Sequence, residues 1–127
     1  KTTAQPTRNL SKTTAAIAPL VVTKALDAVL SGTVGRIAHE SYNGLTIEAR
    51  VFTNQSFHGF TVVFHYYLEG TECAADWVAS FSTTDGLRLA TYGHKGHLPT
   101  IALNDAAQVL CSTFLAFAHR DALTCPR

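Results

Sequence analysis

Residues 37-IAHESYNGLTIEAR-50 decide how this chain reads. Asn43-Gly44 is a two-residue turn signal, because both central positions of a type I′ hairpin turn need positive φ. After the turn, Leu45, Ile47, Ala49 and Val51 alternate with Thr46, Glu48 and Arg50. That is the period of a strand with one covered face. Before the turn, His39 and Glu40 lie on the incoming strand. The stretch therefore specifies a β-hairpin that brings His, Glu and Arg together.

Outward from the hairpin the periodicity stays legible. Upstream, Val22, Leu26, Val29 and Leu30 share a helical face that starts near Pro19 and stops at Ser31-Gly32. Residues 1–14 are polar and aperiodic and read as a flexible arm, so the chain divides into an arm, 1–14, and one domain, 15–127. The hairpin strands cover about 33–40 and 45–53. A third strand, about 60–69, has Phe60, Val62, Phe64, Tyr66 and Leu68 inward and Val63, His65 and Tyr67 outward. With apolar residues on both faces it reads as central and covered on both sides. Residues 77–82 and 87–92 are short alternating runs about Thr84-Asp85-Gly86, with a helix over 72–81 as the alternative. Leu103, Ala107, Leu110, Phe114 and Phe117 recur at helical spacing over about 101–120. The expected fold is α+β: a two-layer domain with an antiparallel sheet of about five strands, packed by an N-terminal and a C-terminal helix.

Composition narrows the function classes. With 127 residues, 46 % hydrophobic and 15 % charged, the chain can bury a core without a metal. A net charge of +1 is too balanced for a dedicated DNA binder, so any polyanion contact is local. Pro19 and Gly32 break the apolar runs, so no membrane span is expected. The chain begins at Lys1 with a Thr-rich lead, which reads as a processed, secreted protein. The sequons at Asn9 and Asn54 are candidate glycosylation sites on that reading. Cys73 and Cys125 sit in aperiodic segments while Cys111 sits beside a helix stripe, so the expected bridge is Cys73–Cys125 with Cys111 reduced. His94 and His97 have no nearby carboxylate or Cys, and neither a metal site nor a cofactor is expected.

Cleaving RNA by internal transesterification takes a base for the 2′-OH and an acid for the leaving 5′-oxygen. A cation must also steady the phosphorus charge. His39, Glu40, Glu48, Arg50, His65, Arg88, His94 and His97 are the available groups. In the order GTVGRIAHESYNG, a central strand, then AADWVASFSTTDGLRLATYGHKG, the chain resembles the small secreted guanine-specific fungal ribonucleases and the ribonuclease-like effectors of plant-pathogenic fungi. The likeness spans roughly residues 19–97. It implies a ribonuclease-like fold, His39 and His94 as catalytic residues, and Tyr42 and Asn43 as base-recognition residues.

The departures are as informative. The family's central-strand Glu falls near Val63–His65, where no carboxylate stands, and its Arg falls at Trp77. His65 or Glu48 is the candidate replacement base, and Arg50 and Arg88 are candidate RNA contacts. The reading is a secreted effector or toxin with a degenerate catalytic set, acting by binding a host protein or, weakly, single-stranded RNA. Two alternatives stand beside it: an active metal-free endoribonuclease, and a small secreted toxin subunit joined to a partner chain by a disulfide.

Overall fold

The computed structural model describes residues 10–84, 86–96, 98 and 100–120. The chain runs α1 (Ser11–Ser31), β1 (Gly35–Tyr42), β2 (Leu45–Asn54), a 3₁₀ turn (Gln55–Phe57), β3 (Gly59–Leu68), β4 (Ala74–Ser82), β5 (Arg88–Lys95) and α2 (Ile101–Arg120). The five strands form one antiparallel sheet in chain order, β1-β2-β3-β4-β5. The α+β class, the strand number and the two terminal helices are as the periodicity predicts.

The local signals act as their chemistry requires. Asn43 and Gly44 take φ of 49° and 83°, and Tyr42 pairs with Leu45 across the turn. Gly32 ends α1 in the left-handed region, and the Thr33 N–H donates to the Ala28 carbonyl at 2.8 Å. That is the 6→1 bond of a Schellman cap.

The structure bears on three expectations. First, α1 begins at Ser11, so Pro19 lies inside it and the polar arm does not reach residue 14. Leu10, Thr14, Ile17 and Val21 are all buried and continue the helix stripe at i, i+4, i+7 and i+11. A threonine standing in that stripe concealed it. Residues 1–9 of the arm, including Asn9, lie outside the described residues. Second, residues 74–82 are strand, as the alternating run predicts, and the helical alternative over 72–81 is set aside. Third, α1 and α2 are each long and apolar enough to cross a membrane by length and composition. Pro19 does not break the apolar run, because the helix continues through it. In this fold one face of each helix is buried in the core, while Leu20, Leu30 and Ile101 stay exposed.

Both helices lie on the same face of the sheet. Val21, Val22, Ala25 and Leu26 of α1 and Leu103, Leu110 and Phe114 of α2 share a core with Ile47, Val51, Val62, Phe64, Tyr66, Trp77 and Phe81. Phe114 is its aromatic hub, with ring centroids 4.9 Å from Trp77, 5.9 Å from Phe64 and 6.0 Å from Phe81. Phe117 stays partly exposed, with the Arg120 guanidinium over its ring at 4.7 Å. Because the helices pack against each other on one face, β3 is covered on one side and not on both. Its residues alternate between buried and half-buried along the strand.

Candidate functional site

The uncovered face of the sheet carries an ordered array of polar side chains. Cross-strand pairing joins His39 to Glu48, Glu48 to His65, His65 to Asp76, and Asp76 to Lys95. One row thus runs His39–Glu48–His65–Asp76–Lys95 across all five strands. Directly opposed side chains on one face have Cβ atoms about 4.5–5.5 Å apart, so the row is one continuous line of neighbouring positions, in which His65 and Asp76 are in direct contact.

The charges within the row are partly settled. Glu48 Oε1 lies 3.4 Å from Arg36 Nε and 4.0 Å from Arg50 Nη2. His65 Nδ1 lies 2.7 Å from Asp76 Oδ1. A carboxylate only accepts, so Nδ1 carries the hydrogen and Nε2 is left facing outward. The Tyr67 ring packs beside the His65 ring at 5.6 Å between centroids.

The next row is Arg50–Val63–Val78–Gly93, and beyond it stands Phe52–Thr61–Ser80–Thr91. Asn54 Nδ2 donates to Thr61 Oγ1 at 2.7 Å, and Thr61 and Ser80 hydroxyls meet at 3.1 Å. The amide of the Asn54 sequon is therefore already engaged in the sheet, while its Oδ1 accepts from Phe57 N–H and caps the 3₁₀ turn.

Several candidate residues fall elsewhere. His94 pairs with Trp77, whose ring is buried against α2. His94 therefore lies on the helix side of the edge strand, in a small cavity with Asn104, Gln108 and Cys111. It stands four strand spacings, roughly 19 Å, from His39 and on the opposite face. The expected His39–His94 pair is not brought together. Tyr42 pairs with Leu45, and Glu40 with Ile47, so both sit on the helix-side register, away from Arg50 and Arg88. Arg88 opposes Ser82 at the far end of β5.

Two departures from the family pattern change meaning once the faces are known. Trp77 lies on the covered face, so it is Asp76 and Val78 that occupy the working face of β4. On β3 the working positions are Val63 and His65. A one-residue offset moves a strand side chain through the sheet.

Sequence reading missed Asp76, Lys95, Arg36 and Phe52. One signal was available: Asp is depleted in strands, and Asp76 stands inside an alternating run. Among the described residues no three His, Cys, Asp or Glu side chains are placed to hold a metal ion. Among the described residues Cys73 and Cys111 are unbridged, and burial pushes the Cys111 thiol up. Cys125 and His97 lie outside the described residues, and with Cys125 goes the expected Cys73–Cys125 bridge. Searches of family models, curated proteins and solved structures give no match to this chain.

Proposed function

We propose that this protein is a secreted ribonuclease-like effector that binds single-stranded RNA on its open sheet face and has lost efficient cleavage. The observation that carries the reading is the in-register row His39–Glu48–His65–Asp76–Lys95 on a face that neither α1 nor α2 covers. Arg36, Arg50 and Lys95 supply phosphate contacts around it, and exposed Phe52 supplies an aromatic platform. Such a combination of cations and aromatic faces on a sheet suits an unpaired strand. The resemblance of the hairpin and the 74–96 segment to secreted fungal ribonucleases and effectors supports the rest of the reading. Loss of turnover follows from the separation of His39 and His94, since an acid and a base acting on one phosphate must both reach it.

A second reading is favoured by one contact. The 2.7 Å His65–Asp76 pair orients an imidazole one strand away from Glu48 and its arginines. That set alone could serve as acid, base and charge stabiliser.

The deciding experiment incubates a labelled single-stranded oligoribonucleotide with wild type, His39→Ala and His65→Ala across pH 5 to 8. Binding is followed by anisotropy and cleavage on a denaturing gel. Salt-sensitive binding without cleavage above background is expected. Robust cleavage abolished by either substitution makes the protein an enzyme. Absence of both binding and cleavage removes RNA as the ligand and leaves a protein target.

A further inference from the structure

The open face has a shallow cavity of ≈ 490 Å³ beside the polar row, within the ~300–1,000 Å³ of small-ligand sites. Phe52, Thr61, Val63, Val78, Thr91 and Gly93 are among the residues that line it. Val63 and Val78 are cross-strand partners and form an apolar floor, which Gly93 continues onto β5 without a side chain. Phe52 stands at the side, 46 % exposed although it is a large apolar residue. A Cβ built on Gly93 meets nothing within 4 Å, so the space above it is open to a ligand.

Charge around the floor is uneven. Glu48 is held by Arg36 and Arg50, and Asp76 by His65. Among the described residues Arg88 and Lys95 make no ion pair. These two unpaired cations are at opposite ends of β5, with the apolar floor between them in register. At ~3.3 Å per residue, with one residue bulged out, they are roughly 20 Å apart.

We infer that the Val63–Val78–Gly93 floor with Phe52 is a nucleobase subsite, occupied by a base of a single-stranded RNA whose phosphates run along β5 between Arg88 and Lys95. The site is separate from the Tyr42-Asn43 turn, which lies at the opposite edge strand and on the helix-side register. The base stacks on the Phe52 ring and covers the valine methyls, while the Thr61 and Thr91 hydroxyls can meet its edge. Stacking on an aromatic platform tolerates any base, because every base has a π-face. Preference among bases is therefore weak.

This inference rests on the open face being the RNA-binding face, and its test separates the two. Hexaadenylate and a hexamer of abasic ribose phosphates are titrated at low salt against wild type, Phe52→Ala and Val78→Thr. Wild type should bind hexaadenylate about 10-fold more tightly than the abasic chain, the scale of a single base–aromatic stack. Phe52→Ala should bring hexaadenylate to the abasic level and leave the abasic affinity unchanged, with Val78→Thr giving a smaller loss of the same kind. Equal wild-type affinity for the two chains, or equal losses for both in Phe52→Ala, overturns the base subsite and leaves RNA binding standing. Binding of neither chain overturns both. Methyl shifts of Val63 and Val78 on adding an uncharged apolar peptide, with none on adding hexaadenylate, would assign the groove to a protein partner and overturn the inference as well.

Discussion

Glu48→Gln should separate stability from binding on the open face. One carboxylate oxygen of Glu48 serves both Arg36, at 3.4 Å, and Arg50, at 4.0 Å. The two arginines are themselves direct cross-strand partners. Glutamine keeps the shape and removes the charge, so two ion pairs vanish and two like charges are left facing each other. The Glu48 side chain is 16 % exposed, but the arginines are 54 % and 52 % exposed, so solvent screens both pairs. Each such pair contributes ~0.2–1 kcal/mol, and opposed like charges on neighbouring strands cost ~0.2–1 kcal/mol. The expected destabilisation is about 1–2 kcal/mol, or a Tm lower by ~3–8 °C for a domain of this size. The same change adds a net unit of positive charge to the proposed RNA-binding face. It should tighten binding at low salt and steepen the salt dependence by ~0.7 in the logarithmic slope. Thermal unfolding by circular dichroism and anisotropy titrations at several salt concentrations measure the two effects. A lower Tm together with weaker RNA binding would refute the electrostatic account, because the freed arginines would then not be meeting phosphate.

Four further outcomes follow from groups already described. Thr14 Oγ1 is buried with no hydrogen-bond partner among the described residues, so Thr14→Val should raise stability by ~1 kcal/mol in urea unfolding. A loss of that size would mean the hydroxyl has a partner, such as a buried water. Asn54→Ala removes the 2.7 Å bond to Thr61 and the cap on Phe57 N–H, and should cost ~1–2 kcal/mol by the same measurement; no change would show that the amide is not engaged. Burial raises the Tyr66 hydroxyl and the Cys111 thiol above their ordinary values. As pH rises through the usual tyrosine range near ~10, the unfolded chain loses a proton that the folded chain keeps, so stability falls. Tyr66→Phe should flatten that limb of the stability profile. Iodoacetamide at pH 8 should alkylate Cys111 more slowly in the native protein than in the urea-unfolded chain, as peptide mapping would read; equal rates would contradict its burial.

The elements were largely legible because period and punctuation agree. The Asn43-Gly44 turn, the alternation of β2 and the stripe of α2 each rest on local chemistry that tertiary packing does not override. The start of α1 was not legible, because Thr14 counts as polar by type yet buries its methyl in the stripe. The candidate site was half legible. His39, Glu48 and Arg50 are joined by one hairpin, whose register the turn fixes. His94 and Trp77 could not be placed by likeness, since which face a strand residue meets depends on a register that a single offset or bulge reverses. There are such bulges in the pairing of β1 with β2 and of β4 with β5. The His65–Asp76 contact depends on the β3–β4 register, which no short turn between those strands announces.

The chain-order sheet has a consequence for how the molecule is assembled. Each strand pairs with its neighbour in sequence, so every ladder closes over a short loop and at small entropic cost. Sequence-local contacts of this kind favour rapid folding. The two helices differ, because they are the first and last elements described and yet pack against each other. Their meeting closes nearly the whole chain into one loop and buries Phe114 against Phe64, Trp77 and Phe81. The meander can therefore form by successive local steps, while the covered face is completed by the contact of longest range among the described elements.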